Sequence, residues 1–290
     1  MQHGNRKSRT SNQQNCQSEA NNATMTEYPE RRRSRAPGWC RRMAAFSFVL
    51  LATVWIGHHF GLVETMAYLW VLALVAALAA ISLIVAAFAF SRIWTYGGPG
   101  GRDVAFGVMV ALIVLAPYGY AAYLMLVLPP LRDISTDLDA PPTLPTASER
   151  TADMNSLLPQ SPGERRLQAE HYPLVTGRRY ELPLNETVAA VGAVLARQGW
   201  RISGPLPGAN ARIAGEATIG AVAPSLGLEL PADVSVRISA DAETTLVDMR
   251  SASRYGRHDL GDNARRIVVF LSELDSQINS QLGLGQEDGR

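Results

Sequence analysis

The residues best suited to hold a ligand lie near the C-terminus of this chain of 290 residues. Arg250 and Arg254 are four positions apart on a predicted strand, so both side chains point to one face of a sheet. Asp259 follows as the predicted N-cap of the last helix, with Asn263 in its first turn. Two guanidinium groups beside a helix N-terminus suit a phosphate or an anionic lipid head group. These four residues are therefore the candidate ligand site.

A structural role for the same side chains is the alternative. In this interpretation Arg250 forms an ion pair with Asp233 on the neighbouring strand, and Arg254 pairs with Asp259 or with the turn before it. The two roles differ in one observable property. A binding role requires free guanidinium groups, whereas a structural role requires that each is already paired with a carboxylate.

Hydrolysis is the competing chemistry, because Ser251, Ser253, His258 and Asp259 include the residue types of a Ser-His-Asp triad. The two serines share a strand face with Val247, which points to the predicted core, and no G-x-S-x-G elbow presents a nucleophile. We therefore assign no catalytic residue and lean against an enzyme. The histidines and cysteines show no H-E-x-x-H or C-x-x-C spacing, so we predict no metal centre and no cofactor.

Three apolar segments precede this region. Segments 43–63, 66–90 and 104–128 are each long enough to cross a hydrocarbon core of about 30 Å as a helix. None carries an ionisable residue at depth, so we expect the segments to anchor the chain rather than to transport a solute. Residues 1–42 form a basic polar arm that we expect to be disordered. A cleaved signal peptide is the alternative for the first segment, although no small-residue cleavage site follows it.

The distribution of charge predicts the orientation of the three spans. Arginines crowd the approach to the first span, and Arg92 and Arg102 lie between the second and third, whereas the turn at Glu64 and Thr65 has no arginine or lysine. The positive-inside rule then places the N-terminus in the cytoplasm. We therefore predict a multi-pass membrane protein whose C-terminal domain lies on the other side of the membrane from the cytoplasm.

The C-terminal part is predicted to be an α+β domain over residues 164–282, with a disordered tail at 283–290. Residues 129–163 are rich in Pro, Ser, Thr and Asp and are predicted to form an extended linker. Within this linker, Asp133, Asp137 and Asp139 are close enough in sequence to suit a hard cation such as calcium. Turn and capping roles explain the same carboxylates and are preferred.

Hydrophobic periodicity predicts two helices on one face of an antiparallel sheet of at least four strands. The first helix is predicted from its N-cap Asn185 to Gly199, and the last helix is predicted over 260–281. Strands are predicted over 200–203 and 211–219 and then in a hairpin of two longer strands. The membrane-anchored α+β class follows from this order of elements.

The predicted hairpin has a defined register. If Ser239 opposes Thr244, with the turn at 240–243, then Asp233 faces Arg250 and the polar side chains of both strands share one face. This register makes Asp233 and Arg250 a structural pair.

Several short motifs resemble the signature of the bacterial family DUF1499, a domain of unknown function: RSASRYG at 250–256, DLG at 259–261, NARRI at 263–267, DISTD at 133–137 and YP at 172–173. The resemblance covers roughly residues 131–274 and implies a membrane-anchored envelope protein. Together with the predicted orientation, it implies a multi-pass protein of a bacterial inner membrane with a periplasmic C-terminal domain. It implies no reaction. Two positions depart from the pattern, Arg132 where a small or polar residue is expected and His258 where serine is common, and the second argues against catalysis by His258.

Composition narrows the choice of partners. The cationic charge is almost all arginine, with Lys7 the only lysine, which is typical of coding composition rather than of a binding surface, so no nucleic-acid partner is predicted. The expected partners are the lipid bilayer and an anionic lipid or phosphate-bearing ligand at the candidate site. The alternative is a scaffold on which another envelope protein docks.

Overall fold

The computed structural model describes residues 35–97, 99–207, 215–241 and 244–287. It contains three apolar helices followed by an α+β domain, which confirms the predicted fold class. Four predictions fall wholly or partly outside the described residues: the disordered arm up to residue 34, the start of the strand at 211–219, residues 242–243 of the predicted hairpin turn, and the last residues of the tail, 288–290.

Three long helices are apolar enough to cross a membrane: α1 (Ala36–His59), α2 (Thr65–Tyr96) and α3 (Gly101–Val127). All three coincide with predicted spans. α1 begins ahead of the predicted Met43, because Pro37 lies in its first turn, where proline has no backbone hydrogen bond to lose. Ala44, Ala79 and Ala111 are buried where the helices meet, and their small side chains let the backbones approach closely.

The domain is a single antiparallel sheet with helices. Its elements in the described residues are β1 (Asp133–Ser135), a 3-10 helix (Pro145–Glu149), α4 (Pro162–His171), β2 (Arg178–Tyr180), α5 (Leu184–Arg197), β3 (Arg201–Ser203), β4 (Glu216–Pro224), β5 (Pro231–Asp241), β6 (Thr244–Ser253) and α6 (Asp262–Glu287). The strand order is β1-β6-β5-β4-β3, and β2 also pairs with β6. α6 continues past the predicted end at residue 281, so most of the predicted disordered tail is helical.

The β5–β6 hairpin has a register two residues away from the predicted one. Asp241 opposes Thr244, so Asp233 faces Ala252 rather than Arg250. The predicted Asp233–Arg250 pair is therefore wrong. Because side chains alternate with a period of two, a shift by two residues leaves every side chain on its predicted face.

Helices α5 and α6 cover one face of the sheet, as predicted, and pack there around buried residues such as Val236 and Phe270. α5 has Pro183 at its N-cap position, so Asn185 is not the cap; it lies in the first turn and is exposed. The helix ends before Gly199, whose φ of +67° gives the left-handed conformation that commonly follows a helix.

The segment predicted as a linker is part of the domain and covers the opposite face of the sheet. β1 pairs with β6, and the 3-10 helix lies against β4 at Gly220, where an added side chain would press on Pro145 at 3.0 Å. Asp137 accepts hydrogen bonds from the backbone N–H groups of Asp139 and Ala140, which is the preferred turn role. The linker prediction is wrong because the polar residues of this segment bind the polar face of the sheet instead of remaining in solvent.

Candidate functional site

Arg250 and Arg254 both point to the polar face of the sheet, and both are paired with carboxylates. Arg250 donates hydrogen bonds to the two carboxylate oxygens of Asp133, at 3.0 and 2.6 Å. Arg254 donates to Oδ1 of Asp233 at 2.9 Å and to Glu149 at 3.0 Å, and only 6% of its surface is exposed. Neither guanidinium group therefore has free charge for an anion.

Asp233 is completely buried and is shared by two arginines. Arg254 binds one of its oxygens, and Arg150 donates to the other at 2.6 Å. Arg150 also donates to the backbone oxygens of Asn155 and Ala252. This cluster fastens the 136–160 segment to the ends of β5 and β6, which is a structural role.

Asp259 lies on the other side of the sheet, at the start of α6. Its carboxylate accepts hydrogen bonds from the N–H groups of Gly261 and Asn263, at 2.9 and 3.0 Å, and so binds the start of the helix, although Asp259 lies two residues before the N-cap position where it was predicted. The helix itself begins at Asp262 rather than at Leu260. Burial raises the pKa of Asp259, and the two hydrogen bonds from the backbone oppose this rise.

Asn263 is completely buried and is the centre of a polar network. Its side-chain oxygen accepts hydrogen bonds from the hydroxyl of Ser251 at 2.8 Å and from Arg266 at 2.7 Å. Its side-chain nitrogen donates to the hydroxyl of Ser253 and to the backbone oxygen of Arg132, both at 3.0 Å. An amide has two donor and two acceptor positions, and all four are used within the protein.

The four predicted ligand residues do not form one site. Arg250 and Arg254 lie on one side of the sheet, Asp259 and Asn263 lie on the other, and no hydrogen bond or ion pair joins the two pairs in the described part of the chain. The arginine that reaches the start of α6 is Arg266. The alternation of side chains along a strand correctly predicted that Arg250 and Arg254 share a face of the sheet. It did not reveal that another segment of the chain covers that face.

The residues of the Ser-His-Asp hypothesis are not arranged for catalysis. Ser251 is completely buried and donates its hydroxyl proton to Asn263. Nδ1 of His258 accepts a hydrogen bond from the N–H of Leu260 at 2.9 Å, and Nε2 lies 3.0 Å from the backbone oxygen of Leu128. Because both ring nitrogens are engaged with the backbone, the ring has no position free to take a proton from a serine.

A cavity of about 1090 Å³, which we name the junction cavity, opens where the domain meets the apolar helices. Its mostly apolar wall comes from both parts of the chain, with side chains that include Leu51, Trp55, Leu72, Leu124, Leu228 and Val268. The volume lies at the upper limit of small-molecule sites, which span about 300–1000 Å³. Because α1, α2 and α3 all contribute, the wall is continuous with the outer surface of the helix bundle.

The loop of residues 225–230, between β4 and β5, forms one side of the junction cavity and rests on the end of α1. Trp55 donates its indole N–H to the backbone oxygen of Gly227 at 3.2 Å. Nδ1 of His59 lies 3.0 Å from the carboxylate of Glu229. Glu229 has a φ of +54°, a strained conformation for a residue with a side chain, which these contacts help to hold.

Three residues at the junction cavity have side-chain polar groups that form no hydrogen bond or ion pair with the described residues. The hydroxyls of Tyr68 and Tyr172 are buried and form no hydrogen bond. Arg265 is exposed at the rim, and its guanidinium group forms no ion pair. Sequence reasoning missed all three as a site, because Tyr68 and Tyr172 are more than a hundred residues apart. The YP motif at Tyr172 was the one signal in the sequence.

The fold and the cavity define a protein with three membrane-competent helices and an α+β domain that meets them at a large apolar cavity. Residues 133–274 match the family described as "Protein of unknown function (DUF1499)", which confirms the resemblance of the motifs in this domain. No curated protein and no solved structure matches the chain. The match to this family assigns no activity, so the function is argued from the site.

Proposed function

We propose that the protein is a membrane-anchored module that binds an anionic lipid in the junction cavity. The cavity itself carries the proposal: its wall is apolar, it is shared by the helices and the domain, and Arg265 at its rim has no ion-pair partner among the described residues. An acyl chain gains about 25 cal/mol for each Å² of apolar surface removed from water, and an anionic head group gains from the guanidinium group. The anionic ligand expected from the sequence is retained, but its site moves from Arg250 and Arg254 to the cavity.

We further propose that the domain lies on the periplasmic side of a bacterial inner membrane. Arg92 and Arg102 lie at the end of the helix bundle away from the domain, and Arg41 is joined to Asp103 there at 2.9 Å. The turn at the domain end contains Glu64 and no arginine or lysine. The positive-inside rule favours a cytoplasmic location for the arginine-rich end.

A thiol-labelling experiment tests this orientation. In a full-length chain in which Cys16 is replaced by Ser, the variant Ser280→Cys exposes a thiol on α6 of the domain, and Thr95→Cys exposes one at the opposite end of α2. A membrane-impermeant maleimide added to intact spheroplasts labels the first variant and labels the second only after permeabilisation. Labelling in the reverse order would place the domain in the cytoplasm.

Filling the junction cavity is expected to displace the lipid. Ala121→Trp adds a large side chain to the cavity wall on α3, whereas Ala122→Trp adds the same side chain one position further along, on an exposed surface outside the lining. Native mass spectrometry of the full-length protein in detergent, titrated with phosphatidylglycerol, measures the occupancy. We expect affinity to fall about tenfold or more in Ala121→Trp, equivalent to about 1.4 kcal/mol, and to be unchanged in Ala122→Trp.

Equal binding by both tryptophan variants would mean that lipid associates with the outer surface of the helices rather than with the cavity. Absence of binding by the parent protein would overturn the lipid-binding proposal. In that case the scaffold alternative, in which another envelope protein docks on the domain, becomes the function to test by crosslinking in the membrane.

A further inference from the structure

Two tyrosines that line the junction cavity have buried hydroxyl groups that form no hydrogen bond with the described residues. Tyr68 is completely buried, yet its hydroxyl has no hydrogen-bond partner among the described residues, and the same holds for the hydroxyl of Tyr172. Both side chains line the cavity. A buried hydroxyl without a partner costs free energy, so it is usually paired in a native protein, with the chain itself, with ordered water or with a ligand.

Both phenol rings are held in place by their surroundings. The ring of Tyr68 stacks on His58 with 4.2 Å between centroids and an angle of 4° between planes, and it packs with Leu228. The hydroxyl of Tyr172 lies against the backbone turn at Gly261, only 3.5 Å from where a Cβ would stand. Fixed hydroxyls in an apolar cavity are suited to select a ligand by the position of its acceptor atoms.

The two hydroxyls act as donors. Burial, together with the nearby carboxylate of Asp259, raises the pKa of Tyr172 to about 12, so this phenol keeps its proton at neutral pH. Tyr68 lies in the first turn of α2, at the end of the span that meets the domain. This depth corresponds to the interface between hydrocarbon and head groups, where tyrosine is enriched in membrane proteins. The ester groups of a glycerolipid lie at the same level of a bilayer.

We infer that the bound lipid is an ester-linked acyl lipid and that Tyr68 and Tyr172 donate hydrogen bonds to its carbonyl oxygens. The inference rests on the proposed function and adds to it the chemistry that is recognised between the acyl chain and the head group. A purely hydrocarbon or isoprenoid ligand would leave both hydroxyls unsatisfied. An ether-linked lipid of the same length lacks the carbonyl oxygens and would do the same.

The test compares dihexadecanoyl phosphatidylglycerol with its di-O-hexadecyl ether analogue, which has the same chains and head group. Both are titrated into the full-length protein in detergent, and occupancy is measured by native mass spectrometry. The parent is expected to prefer the ester lipid by about three- to tenfold, the usual effect of one or two hydrogen bonds. The preference is expected to disappear in the double variant Tyr68→Phe/Tyr172→Phe. It should persist in Tyr123→Phe, which loses an exposed hydroxyl outside the cavity.

The outcomes separate this inference from the proposed function. Equal binding of ester and ether lipids by the parent overturns the inference and leaves the lipid site in place, whereas binding of neither overturns both. Thermal unfolding without added lipid supplies a second readout. Because the hydroxyls have no protein partner among the described residues, the double variant is expected to melt at or above the temperature of the parent. A clear drop would show that the hydroxyls stabilise the fold, and this too would overturn the inference.

Discussion

Replacing Asp233 by Asn is expected to lower the free energy of unfolding by about 3–5 kcal/mol, because it breaks a buried cluster of charges. The carboxylate is completely buried and is the shared partner of Arg150 and Arg254. The two arginine side chains are themselves each only 7% exposed. Asparagine keeps the size of the side chain but removes the negative charge. The two guanidinium groups then remain buried without the carboxylate that neutralises part of their charge. Denaturant titration of the full-length protein in detergent micelles measures the change.

Asp241→Asn is the matched control for this substitution. Asp241 lies on the same strand and pairs with Arg179, but the two side chains are 62% and 54% exposed. Exposed ion pairs contribute only about 0–1 kcal/mol, so the control is expected to unfold almost like the parent. Similar losses in the two variants would mean that the buried cluster is not a special source of stability and that its arginines are free for another role.

The elements that the sequence predicted well are those with a strong local signal. The spans are long uncharged runs, and their assignment depends on nothing outside each run. The alternation of Val234, Val236 and Ile238 likewise predicted which residues of β5 face the apolar core. It did not predict that residues on the opposite face, Asp233 and Ser235, are buried as well. Register has no such signal, because two registers that differ by two residues bury the same side chains. The predicted register was set by placing Ser239 opposite Thr244, and it was wrong because Asp241 opposes Thr244 instead.

The ion pairs of the domain were not predictable because their partners come from a segment with the composition of a linker. Asp133, Glu149 and Arg150 lie in a stretch rich in proline and polar residues, about a hundred residues before Arg250 and Arg254. Composition indicates how much apolar surface a segment can bury, but not that its charges will be neutralised by another part of the chain. The family resemblance, which begins near residue 131, was the better guide to where the domain begins.

The junction cavity was not predictable for a related reason. Its wall combines side chains of α1, α2 and α3 with loops and a helix that follow more than forty residues later, and no periodicity links positions as distant as Leu51 and Val268. Local patterns can mark a surface as apolar, but only the arrangement of the two parts of the chain encloses a volume. A site between an anchor and its domain is therefore found from the structure.

Asn263→Ala is expected to lower the free energy of unfolding by about 2–4 kcal/mol without lowering lipid occupancy in the folded protein. The buried amide makes four hydrogen bonds, and its loss leaves Ser251 and Arg266 without their shared acceptor, each unsatisfied group costing about 1–3 kcal/mol. Asn185→Ala is the control, since Asn185 is exposed and its loss should change stability by less than about 0.5 kcal/mol. Denaturant titration and phosphatidylglycerol binding are measured on the same full-length samples. Normal stability with lost binding would contradict the structural role of Asn263 and would show that its amide is needed at the start of α6, where that helix forms part of the junction-cavity wall.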